Sequence, residues 1–75
     1  MSEERSIKVG DRVSVFLEPS RWRTSGWISG TVIRIDGYSA HRNFHWVELD
    51  TSAEFLNGGR LPVVSVINPK HIRGI

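Results

Sequence analysis

The stretch Trp27-Ile28-Ser29-Gly30-Thr31-Val32-Ile33-Arg34-Ile35 decides the class of fold. It is crowded with β-branched residues, which suit the pleated surface of a strand. Its interior Gly30 marks a bend or bulge, the feature with which a small barrel turns a corner. Upstream, Arg12 to Leu17 alternates with period two: Val13, Val15 and Leu17 share one face, and Arg12, Ser14 and Phe16 the other. Downstream, Phe44 to Asp50 alternates in the same way, with His45, Val47 and Leu49 opposite Phe44, Trp46 and Glu48. Such alternation is the mark of a half-buried strand. Leu61 to Ile67 reads as a fourth strand, whose Pro62 suits a strand start or a sheet edge. Ile72 to Ile75 reads as a short fifth strand.

Turn chemistry separates these runs. Val9-Gly10-Asp11 leads into the first strand, and Glu18 to Gly26 is a loop containing Pro19 and two serines. Asp36-Gly37 is a turn signal, followed by a polar stretch to Asn43. Thr51 to Arg60 reads as a loop closed by Asn57-Gly58-Gly59. Asn68-Pro69-Lys70-His71 is a tight turn with room for one turn of 3-10 helix. No segment keeps a helical repeat for more than a turn. The expectation is an all-β domain over residues 9–75, a strongly bent five-stranded small barrel, with residues 1–8 as a flexible N-terminal tail.

A chain of 75 residues makes one small domain with a marginal core. Without cysteine it has neither a disulfide framework nor a thiolate metal site, which leaves subunit contacts as a source of support. No run approaches the ~18 apolar residues of a membrane span. The polar stretch Met1 to Lys8 has no apolar core of a secretory signal, so a cytoplasmic location is expected. The formal charge is only +2, but arginine dominates the cations, eight Arg against two Lys, and the pI is about 9.7. Arginine offers a planar fork to phosphate or carboxylate. An anionic partner and an ordinary mixed surface are both compatible with this balance.

The chemistry-bearing residues point away from catalysis. The carboxylates are scattered, no nucleophile has a recognisable triad context, and no Gly-rich loop joins a strand to a helix. His41 and His45 are spaced for a metal only on a helix, and here they straddle a loop and a strand. No cofactor and no metal is expected. Among the aromatics, one or two of Trp27, Phe44 and Trp46 are expected to complete the core. Phe16 belongs at the barrel end or on a contact surface. Trp22, between Arg21 and Arg23, is either an exposed anchor or a plug packed down on the barrel. Exposed aromatics interleaved with arginine suit base stacking and phosphate contacts, and equally a protein interface.

Three ordered segments resemble the bacterial Sm-like, Hfq-like family. Val13-Ser14-Val15-Phe16-Leu17 is similar to its first-strand signature. Ile28-Ser29-Gly30-Thr31-Val32-Ile33-Arg34-Ile35-Asp36-Gly37-Tyr38 resembles its glycine-containing second strand and the aromatic that follows. Val64-Ser65, then Lys70-His71-Ile72 after four residues, resembles its Lys-His turn. The resemblance implies a homo-oligomeric ring binding single-stranded RNA, with the fourth strand of one subunit beside the last strand of the next. It implies Tyr38, Lys70 and His71 at the pore, with Arg34 or Arg42 nearby. An aromatic face, a fixed cation and a titratable donor on adjacent turns suit single-stranded RNA.

A second resemblance, through Gly10-x-x-Val13-x-Val15, Pro19-Ser20-Arg21-Trp22 and Gly30-Thr31-Val32-x-x-Ile35-Asp36, is to the small SH3-like docking protein of photosystem I. It implies the same SH3-like architecture and an alternative function, docking on an acidic protein partner through Arg21, Trp22 and Arg23.

Overall fold

A computed structural model describes residues 7–40 and 42–75. The alternating run becomes strand β1 (Arg12–Leu17), followed by β2 (Gly26–Ser39), β3 (Arg42–Glu54), β4 (Arg60–Val66), a 3-10 turn (Pro69–His71) and β5 (Ile72–Gly74). All neighbours are antiparallel, in a single sheet of order β4-β3-β2-β1-β5. The first four strands form a meander, and β5 returns to pair with β1. Among the described residues the outer edges of β4 and β5 are unpaired, and the sheet they form is not closed on itself. Pro62, which lacks an N–H, lies in the edge strand β4, where no ladder needs one.

One face of this bent sheet holds the core. Val13, Val15 and Leu17 of β1 meet Val32 of β2, Val47, Leu49 and Ala53 of β3, Val64 and Val66 of β4, and Ile72 of β5. Each fully buried aliphatic side chain contributes about 1.5–3 kcal/mol relative to exposure. Among the described residues every member of the buried cluster is aliphatic, with the partly buried Trp22 packed against it. Trp27, Phe44 and Trp46, expected to supply part of it, sit on the opposite face or its margin. The reason is parity: Ile28, Gly30 and Val32 point inward, so Trp27 points outward.

Strand β2 runs on beyond Ile35, where a turn was expected. Asp36 pairs with Phe44 and Gly37 with Asn43 in the β2–β3 ladder. Two side chains hold Asp36 in the sheet: Arg34 Nε donates to its Oδ1 at 3.0 Å, and Trp46 Nε1 donates to its Oδ2 at 3.1 Å. The register shifts between Val32 and Arg34, making Ile33 the extra residue of a bulge. Gly30 does not bulge. It is a point of close approach, where an added Cβ would lie 2.6 Å from the Glu48 carbonyl oxygen.

Strand β3 likewise continues to Glu54, through residues read as a loop. The β1–β2 loop supplies the cause. Arg23 and Thr24 donate their N–H groups to the Glu54 carbonyl, and Trp22 bridges Phe55. The actual turn is residues 55–59, closed by Gly58 at φ 96° and by the Phe55 N–H on the Gly59 carbonyl. Residues 1–6 of the expected tail lie outside the described residues. Ile7 packs against the core, and the Lys8 N–H donates to Asp11 Oδ2. Among the described residues no helix is long and apolar enough to cross a membrane.

A clip ties β1 to β3 across the outer face. Arg12 donates to both oxygens of Asp50, at 2.8 and 2.6 Å. This guanidinium holds the Asp50 carboxyl below its ordinary pKa, and the Arg34 hydrogen bond does the same to Asp36. A depressed carboxylate contributes stability that is complete above its unfolded pKa of about 3.9 and is lost as pH falls through the folded value. Urea midpoints measured from pH 7 downwards should therefore fall below about pH 4. The Asp36→Asn/Asp50→Asn variant should show a shallower fall; equal acid limbs would mean that these pairs do not stabilise the fold.

Candidate functional site

The described cations divide into two groups. Arg12 pairs with Asp50, Arg34 with Asp36, and Arg23 and Arg60 both with Glu54. Among the described residues, Lys8, Arg21, Arg42, Lys70 and Arg73 form no ion pair. Their charge is left to solvent or to a partner. Two of them, Arg42 and Arg73, line one cleft of about 640 Å³, together with Asp11, Asn43, His45 and Pro69. Lys70 follows Pro69 directly in the 3-10 turn.

That turn is built locally. Asn68 caps it: its side chain accepts from the Lys70 N–H at 2.9 Å, and its carbonyl accepts from the His71 N–H at 2.9 Å. Pro69 fixes the first residue, and the turn ends on the buried Ile72. Lys70 is left exposed, while His71 lies back on the sheet. The His71 ring is 5.6 Å from Phe16, and its Nε2 is 3.8 Å from Glu18.

Tyr38 is the extra residue where the β2–β3 register shifts a second time, between Gly37 and Ser39. Bulges re-aim side chains. This one leaves Tyr38 63% exposed at the hairpin end, edge-on to Phe44 at 5.3 Å between centroids. Arg42, paired with Ser39, belongs to the same hairpin end.

The structure thus brings Arg42 and Arg73 to one cleft beside Pro69, while His71 lines a separate cleft with Phe16, Glu18, Arg21 and Trp22. Tyr38 rests on Phe44, at the other end of β2 from the Phe16–His71 contact. Arg34 is committed to Asp36. In the loop after β1, Trp22 stacks on Phe55 at 4.2 Å and is half-buried against the core. Arg23 pairs with Glu54 and donates to the Leu56 carbonyl, leaving Arg21 as the unpaired cation of that loop. His41 lies outside the described residues; among those described, no three His, Cys, Asp or Glu side chains gather in a metal-binding group.

One functional candidate, Arg73, was not singled out from the sequence. Arg73 lies over the Trp27 ring, 3.9 Å from its centroid. Trp27 was a candidate for the core and lies instead on the outer face with Phe16. The pairing of β5 with β1, which delivers Arg73, was not legible.

No family model matches the chain, and neither curated proteins nor solved structures yield a match.

Proposed function

We propose that this chain is a non-catalytic small barrel of the SH3-like or Sm-like kind that binds single-stranded RNA as a homo-oligomer. One observation carries the reading. Two of the cations without carboxylate partners among the described residues, Arg42 and Arg73, line one cleft beside Pro69, the residue before Lys70, and the hairpin end that supplies Arg42 also carries an exposed aromatic ring, Tyr38. Arg42, Lys70 and Arg73 would take phosphates, and Tyr38 would offer a base its π face. The strand order, the bent β2 and the one-turn connector before β5 are compatible with the barrel. The outer edges of β4 and β5, unpaired among the described residues, offer each copy a place to pair with the next, and a ring would multiply a weak site.

Docking on an acidic protein through Arg21, Trp22 and Arg23 has less support. The ring that would anchor it is stacked on Phe55, and Arg23 is drawn to Glu54, which it shares with Arg60.

The test is titration of a labelled twelve-nucleotide uridine oligomer, followed by anisotropy at several salt concentrations. Arg42→Ala/Lys70→Ala should bind about tenfold more weakly at ~0.1 M salt. Its salt slope should be shallower by about 1.4, as expected for two lost phosphate contacts on a single strand. Both side chains are exposed, so thermal unfolding should hardly change. Unaltered affinity would remove these residues from the site, and failure of the native chain to bind at all would reject the RNA reading. Light scattering tests the assembly: a clean monomer at tens of micromolar would exclude the ring.

A further inference from the structure

We infer that Trp27, Arg73 and Phe16 form a nucleobase-stacking site on the outer face of β1, β2 and β5, which continues the path of an RNA strand held at the cleft that Arg42 and Arg73 line. The inference rests on the RNA reading above and adds to it a place where bases are gripped.

Arg73 connects the two regions. It lines the cleft, and its guanidinium carbon lies 3.9 Å from the centroid of the Trp27 ring. It has no carboxylate partner among the described residues. A guanidinium held against an aromatic ring is ordered before binding. It keeps its charge and can carry a base on its outer side while meeting a phosphate at its edge. Phe16 stands directly across from Trp27 in the β1–β2 register, with ring centroids 5.5 Å apart. His71 extends the strip, and Glu18 beside it closes that side with negative charge.

Cross-strand aromatic pairs also stabilise sheets without binding anything. Two observations here exceed that role. The core is complete without these rings, and Trp27 stays 40% exposed in a strand whose inner face is fully used. The neighbouring outer positions are the small Ser14 and Ser29, paired with each other, with Ser14 also opposite Arg73. Neither puts a bulky side chain beside the rings. The unpaired cation among them favours an anionic chain over a neutral peptide.

The experiment compares two probes of equal length: the uridine oligomer, and an abasic oligomer with the same ribose-phosphate backbone. Trp27→Leu should weaken uridine-oligomer binding about tenfold, the loss of one stacked base, and leave abasic binding within about twofold. Arg73→Lys keeps the charge and loses the planar face, so it should show the same selective loss; being exposed, it decides the matter if Trp27→Leu does not fold. If both variants bind the uridine oligomer like the native chain, or lose both probes equally, the stacking site is overturned. If Arg42→Ala/Lys70→Ala loses binding while Trp27→Leu and Arg73→Lys do not, the RNA reading stands and only this site falls. If the native chain binds neither probe, both fall together. Preference for a glutamate-rich peptide, lost on Trp27→Leu, would make the strip a protein contact and overturn the nucleobase assignment.

Discussion

Gly30→Ala is expected to lower stability by about 3 kcal/mol, the upper end of the range for overpacking a core. The added Cβ would lie 2.6 Å from the Glu48 carbonyl oxygen and 2.7 Å from Val47 Cγ1. Neither atom can yield cheaply. The oxygen belongs to the backbone of β3 where it pairs with β2, and Val47 is completely buried. Relief therefore requires the two longest strands to part at the centre of the sheet. With a slope of ~1 kcal/mol/M, the urea midpoint should drop by about 3 M. Gly59→Ala is the matched control, because its Cβ would meet nothing closer than Asn57 Oδ1 at 3.4 Å; it should stay within ~0.5 kcal/mol of the native chain. Equal midpoints for the two variants would show that the close approach at Gly30 is not tight in solution.

The second large effect is expected at Trp22. Its ring stacks on Phe55 at 4.2 Å and 18° between planes, and its backbone bridges the same residue. Around it, the N–H groups of Arg23 and Thr24 donate to the Glu54 carbonyl, and Leu56 donates to the Arg21 carbonyl. Burying a whole tryptophan is worth about 3–5 kcal/mol against alanine. Trp22 is half-buried, so Trp22→Ala should cost about 2–3 kcal/mol by the same measure. The released loop should also become open to trypsin at Arg21 and Arg23. Trp22→Phe, which keeps a ring on Phe55, should recover much of the loss. A Trp22→Ala protein as stable as the native chain would mean that the ring is available to a partner and would revive the acidic-docking alternative.

Local pattern carried a large part of the architecture. Val13, Val15 and Leu17 announce the inner face of β1 by strict alternation, and β1 begins and ends where the alternation does. Asn68-Pro69 announces the 3-10 turn, because a side-chain cap and a fixed φ act within three residues. The misreadings share one physical origin. Asp36-Gly37 has the composition of a turn, but Asp36 finds Arg34 and Trp46 as donors, and the ladder runs through it. Residues 51–54 look like a loop, and the carbonyl of Glu54 is drawn into hydrogen bonds by a segment thirty residues earlier in the chain. Turn propensity is a short-range preference, and a few long-range hydrogen bonds outweigh it.

The candidate site shows the same division. Tyr38, Lys70 and His71 were singled out only through the resemblance, with Arg34 or Arg42 expected nearby. Which arginines keep their charge available was not legible, because that depends on where the carboxylates fall. Arg34 pairs with Asp36, and Arg23 shares Glu54 with Arg60, while Arg42 and Arg73 are left without carboxylate partners among the described residues.

By itself, then, the sequence determined an all-β chain of five strands, the inward parity of its aliphatic residues and the one-turn connector before β5, because these follow from periodicity and local backbone chemistry. Only the tertiary structure decided that Gly30 serves close strand approach while Ile33 forms the bulge, that Trp22 is a plug, and that β5 lays Arg73 over Trp27. Those outcomes depend on which strands lie side by side, and adjacency across a sheet is set by the burial of the whole aliphatic face rather than by any one segment.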